Sequence, residues 1–262
     1  MSAELDDALA MAMLGPGTAV GRGSALAGPG QLGASGAPLQ LMDLARLLGG
    51  YRWVERRLFE VVGGWVAYEA VPQARVLFDV LAQQHAWHAE LWEERLPALD
   101  GVDPDTLTVP PSAQVDRLLL AVATSTTPRG EGGVAPVVVG STAGPEGRGG
   151  TLPRLVGLGR VVLPRLVAGY GLHLRRAEPL AEAPVIRTLR LVRQDEIEAW
   201  QAVEAAIEAL VRRPHDVEAI TTHQQALEAL VAADGPGLVP WPRRPVDAEG
   251  GAGPAGEDDR AS

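Results

Sequence analysis

The chain predicts an all-α protein on three observations. Long stretches carry apolar residues at helical spacing, prolines and short polar breaks punctuate them, and almost nothing reads as a strand. The one β-like run, VVV at 137–139, is too short and too closely flanked by glycine to build a sheet.

The first helix is expected over about 39–70, where Leu44, Leu47, Leu48, Tyr51, Val54, Leu58, Val61, Val62 and Trp65 form one stripe. AVPQAR at 70–75 then breaks the pattern, and Pro72 is placed to open a second helix. That helix runs to about 96 through Leu77, Val80, Leu81, Trp87 and Leu91. So short a loop makes the two helices antiparallel neighbours. SAQVDRLLLAVA, 112–123, is a brief amphipathic helix within a long connection. A third long helix, about 153–177, carries Leu155, Val162, Leu166 and Tyr170, and Pro164 is expected to bend it. The fourth spans about 184–212 through Leu189, Val192, Trp200, Val203, Ile207 and Leu210. An additional C-terminal helix, about 216–232, carries Val217, Ile220, Leu227 and Leu230. Trp53, Trp65, Trp87, Trp92 and Trp200 all fall at helical spacing and read as core or groove fillers. Two antiparallel helix pairs joined by one long crossover is the expected topology.

Residues 1–38, the Gly-rich insert at about 125–150 and the acidic tail 235–262 lack apolar periodicity and are expected to be disordered. That leaves 39–234 as the helical domain.

Composition removes several classes of function. Of 262 residues, 46% are apolar but only 4% aromatic, so Leu, Val and Ala must fill the interior. Every basic residue is arginine, which excludes Schiff-base chemistry and a phosphate-loop lysine. The absence of cysteine excludes disulfides, thiolate nucleophiles and iron–sulfur ligation. A net charge of −10 argues against a nucleic-acid partner. The N-terminal MSAELDDALAMAML is acidic where a secretory signal is basic, and no apolar run approaches the roughly 20 residues of a membrane span. A cytoplasmic protein with no membrane partner is the expectation.

The informative residues are polar ones whose spacing turns them inward. Glu55 lies four after Tyr51 and three before Leu58; Glu196 lies four after Val192 on the fourth long helix. His88 continues the line of Leu77 and Leu81, His85 sits about 60° around the helix from it, and His173 follows Tyr170. A carboxylate buried alone costs several kcal/mol or takes up a proton, so each needs a partner. A bound cation is one such partner; a buried pairing with Arg or His is the other. Glu55, His85, His88, His173 and Glu196 are therefore the candidate metal ligands.

Glu on one helix, HAWHAELW (85–92) on the next, a crossover, then PLAEAPVIRTLRLV (179–192) and DEIEAW (195–200) together resemble the ferritin-like superfamily. Within it, they are similar to an actinobacterial group. The resemblance covers roughly 40–96 and 151–232. It implies a ferritin-like four-helix bundle with one long crossover. Di-iron members place one Glu on each of two helices and Glu-x-x-His on each of the other two. Glu55, His88 and Glu196 match that pattern. His85 stands where a Glu is expected, the third helix offers His173 instead of Glu, and Ala199 replaces the last His. A degenerate site with two carboxylates stabilises two cations poorly, so at most one iron, manganese or zinc ion is expected. Two functions follow. One is a bundle that has lost its metal and acts by homo-oligomerisation or partner binding. The other is a metal-dependent oxidoreductase activating O₂ or a peroxide on a small-molecule substrate the sequence does not specify.

Overall fold

The structure, a computed structural model, describes residues 39–124, 126–129, 133–136, 150–233, 235 and 237–242. The protein is all-α, with six helices among these residues: α1 (Leu41–Val66), α2 (Pro72–Glu93), α3 (Ala113–Thr124), α4 (Thr151–Arg176), α5 (Ala183–Leu210) and α6 (Pro214–Val231). The expected disorder at 1–38, at 137–149 and at 243–262 lies outside the described residues, as does the VVV run. Within the insert, two short antiparallel strands, Thr126–Arg129 and Gly133–Pro136, pair as a hairpin that the helical period gave no hint of.

Helices α1 and α2 pack along their lengths, joined by a five-residue connection that Pro72 ends at the first position of α2. A buried carboxylate holds that corner: Glu69 Oε1 accepts from the Val71 N–H at 2.9 Å. Helix α4 pairs with α5, and α5 also lies against α2. On α1, Tyr51 meets His173 and Glu55 meets Tyr170, in reverse order along α4, so α1 and α4 run antiparallel. Because α2 is itself antiparallel to α1, α2 and α4 point the same way. The segment between them must therefore carry the chain back along the molecule. It does so through a 3₁₀ turn (Pro104–Leu107), α3 and the hairpin. Helix α6 packs outside, against α3 and the first half of α4.

The core is aliphatic, as the scarcity of aromatics requires. Leu48, Val54, Leu58, Leu118, Leu155, Leu158, Leu189, Val192 and Ile207 are wholly buried. Three residues assigned to apolar stripes are instead half-exposed: Val80, Trp87 and Val217. On α2 the buried face is Phe78, Leu81, Ala82, His85, His88, Ala89 and Trp92. Arg52 on α1 is nearly buried and joins three elements, with Nη2 3.0 Å from Glu93 and Nη1 donating to Asp105 (2.8 Å) and Thr108 (2.9 Å).

The disruption expected at Pro164 is found one turn earlier. Residues Gly157–Val162 form a π-helical turn, closed by the Leu163 N–H reaching back to the Leu158 carbonyl, and the helix then continues through the proline. Gly159 in that turn lies so close to α5 that a β-carbon there would sit 2.6 Å from Val203 Cγ1. By length and composition α4 could cross a membrane, contrary to the expectation of no such run, but 78% of its most apolar window is buried among the other helices.

Within the tail expected to be disordered from residue 235, the described residues 237–242 instead pack against the bundle. Leu238 is buried, and the Trp241 ring stands 5.4 Å from His173 and 5.1 Å from the Arg176 guanidinium. GLVPWP has no periodicity to betray this docking, in which Gly237 and Leu238 are buried and Pro240 is exposed.

Candidate metal centre

Four of the five candidate ligands meet in the interior. Glu55 from α1, His85 and His88 from α2 and Glu196 from α5 are all buried, and one ligand atom from each lies within 4.8 Å of the others. The helical period explains the convergence. Each residue sits among apolar neighbours on a buried face, so packing that face brings its polar group inward.

His85 Nδ1 donates to Glu55 Oε2 at 2.7 Å and lies 3.4 Å from Glu196 Oε1. His88 Nδ1 donates to Glu196 Oε1 at 3.0 Å and lies 3.7 Å from Glu55 Oε1. Its other ring nitrogen, Nε2, faces Asp195 Oδ2 at 3.2 Å. From α4 the Tyr170 hydroxyl donates to Glu55 Oε1 at 2.5 Å. Two atoms in this centre are buried with no partner among the described residues: His85 Nε2 and Glu196 Oε2.

The electrostatics follow from opposite charges brought together in a buried interior. Burial pushes the Glu55 carboxyl up, but the hydrogen bond from His85 and the nearby His88 imidazole outweigh it and hold the group down at about 2. Burial pushes His85 down, yet the Glu196 charge and the bonds to Glu196 and Glu55 raise it to about 9. His88 is raised in the same way, to about 11. Burial and the Glu55 charge push the Tyr170 hydroxyl well above its ordinary value, so it remains a donor. Without a metal the centre balances two carboxylates against two imidazoliums.

His173 does not join this group. Its ring is wholly buried, but Nδ1 faces the Tyr51 hydroxyl at 3.3 Å and Nε2 donates to Glu182 Oε2 at 2.9 Å. Tyr170, three residues earlier, holds the place on α4 nearest Glu55. Three residues of helix amount to about 4.5 Å of rise, enough to carry His173 past the cluster.

Sequence spacing missed Tyr170 as a polar contact and Asp195 as the outer partner of His88. DEIEAW did contain the signal for Asp195, since adjacent acids on a helix flank one edge, the second inward and the first toward the rim. The donor set fits a metal on its own chemistry. Two imidazoles and two carboxylates suit iron, manganese or zinc, and the orphaned Glu196 Oε2 offers a lone pair that no group among the described residues uses. A divalent ion with two neutral imidazoles has the same net charge as the two imidazoliums it would replace.

Comparison with known proteins finds no matching family model, no matching curated protein and no matching solved structure.

Proposed function

We propose that this chain is a ferritin-like helical bundle whose central cluster binds one divalent transition ion, in a reduced form of the superfamily's two-metal site. The observation that carries this reading is the burial of Glu55, His85, His88 and Glu196 with ligand atoms within 4.8 Å of one another. The chain path supports the bundle: α1 and α2 antiparallel, α4 antiparallel to α1, and a long connection between α2 and α4. Two carboxylates, rather than four, set the capacity at one ion. Bound iron or manganese would supply one-electron chemistry and activation of O₂ or peroxide, the oxidoreductase function of the resemblance. Glu55, His85, His88 and Glu196 would hold the ion, and Tyr170 would orient Glu55 through its hydroxyl.

A second reading rests on the charge balance. The His–Glu pairs neutralise one another without a metal, as a bundle retained for self-association or partner binding would require.

The test is elemental analysis of protein purified without added metal or chelator, beside melting with Fe²⁺, Mn²⁺ and Zn²⁺, for the wild type and a His88→Ala, Glu196→Ala double variant. The expected result is about one metal per chain and a raised melting temperature, both lost in the variant. At a hundred-fold excess over Kd, binding adds about 2.7 kcal/mol. A metal-free protein indifferent to all three ions would eliminate the metal reading and leave the second. Two irons per chain would restore a full di-iron centre.

A further inference from the structure

The central cluster is closed off by packed side chains. Glu55, His85, His88, Glu196 and Tyr170 are all buried, yet any ion held there must arrive from water. Among the described residues, the hydrogen-bonded partner of this cluster that reaches solvent is Asp195, whose side chain is 25% exposed. It lies in an open surface depression of about 390 Å³, whose other walls are Gln83, Gln84, Trp87 and Glu198. All five belong to α2 or α5, the two helices that supply His85, His88 and Glu196. The His88 ring is the partition. One edge bonds Asp195, which lines the depression, and the other bonds Glu196 in the interior.

We propose that this depression is the entrance through which a divalent cation reaches the cluster, with Asp195 and Glu198 drawing it in and His88 as the side chain that moves to admit it. The inference rests on the metal-binding reading above. Among the described residues no basic side chain lines the depression, and Glu198 accepts from the neutral Gln194 amide at 2.9 Å. Two carboxylates in a concavity without a basic wall focus the field and concentrate cations, an effect that raises association rates and fades with salt. Trp87, whose ring centroid lies 5.8 Å from that of His88, forms the wall of the depression next to the imidazole.

The experiment uses the metal-free full-length chain and Co²⁺ as probe, with uptake followed by stopped-flow absorbance at low and high salt. The proteins are the wild type, Asp195→Asn, Glu198→Gln and the double variant. Asn at 195 keeps an acceptor for His88 and removes only charge; Glu198 is exposed, so its substitution leaves the fold intact. The expected result is uptake slowed on the order of tenfold in the double variant at low salt, with its salt dependence flattened. Circular dichroism and the final Co²⁺ content should match the wild type. Uptake at wild-type rates in all variants and salts would overturn the entrance while the metal site stands. No Co²⁺ uptake by any of the four proteins would overturn both readings together.

Discussion

Glu69 and Glu196 are both wholly buried, and their surroundings differ in kind. Both oxygens of Glu69 are engaged by groups that do not give up their roles. Oε1 accepts from the Val71 N–H (2.9 Å) and the Thr151 hydroxyl (2.6 Å), and Oε2 from Arg154 Nη1 (2.9 Å). Glu196 shares Oε1 with two imidazoles and, among the described residues, leaves Oε2 without a partner. A carboxylate whose acceptors are filled by backbone, hydroxyl and guanidinium fixes the α1–α2 corner to the start of α4. One faced by rings that can lose their protons, with a lone pair to spare, can exchange its partners for an ion. Burial alone does not separate these cases; the permanence of the donors does.

The largest effect expected is at the structural cluster. Glu69→Ala leaves Arg154 buried and unpaired, and urea denaturation should register a loss of about 3–5 kcal/mol that no divalent ion restores. A loss below about 1 kcal/mol would erase the distinction between the two clusters. A smaller effect is expected from Tyr170→Phe, which removes the 2.5 Å bond to Glu55 and keeps the ring. The metal-free protein should lose about 1.5–3 kcal/mol. Added Mn²⁺ should recover part of it, because a freed Glu55 oxygen becomes available to the ion. If stability is unchanged, Tyr170 is not a polar member of the centre.

The smallest effect concerns pH and sharpens the comparison. His85 and His88 are raised to about 9 and about 11, above the ordinary imidazole value of about 6.5. Their contribution is complete below that ordinary value and is lost as pH rises through 9 toward 11. Glu55, depressed to about 2, contributes above its ordinary value and loses that contribution as pH falls through about 2. The metal-free wild type should therefore unfold at lower urea at about pH 9.5 than at about pH 6. The Glu69→Ala variant should show the same decline and the His88→Ala, Glu196→Ala variant a shallower one. Equal slopes in all three would mean the imidazoles are not charged in the fold.

Much of this was legible in the sequence for a simple reason. Helical spacing reports the angle of a residue around its axis, so the inward turn of Glu55, His85, His88 and Glu196 follows from their positions along the chain. Spacing carries no information on the height at which one helix meets another. His173 was placed on the correct face but one step too far along to reach the cluster, and Tyr170 took its role. Arg52, Glu69 and Glu182 escaped notice because their partners come from loops or from other helices. The packing of Leu238 and Trp241 has no period at all.

Tyr170 owes its aim to a backbone count made about two turns away. A π turn takes in one residue more than an α turn, and each residue advances the helix by about 100°. Helix α4 is thus two rods set out of phase at Gly157–Val162, the first keyed to α5 and α6, the second to the centre. Shortening that turn by a single residue would leave Leu155 seated and swing Tyr170 away from Glu55. The chain can in this way re-index what faces the cluster by insertion or deletion, without changing any residue that lines it.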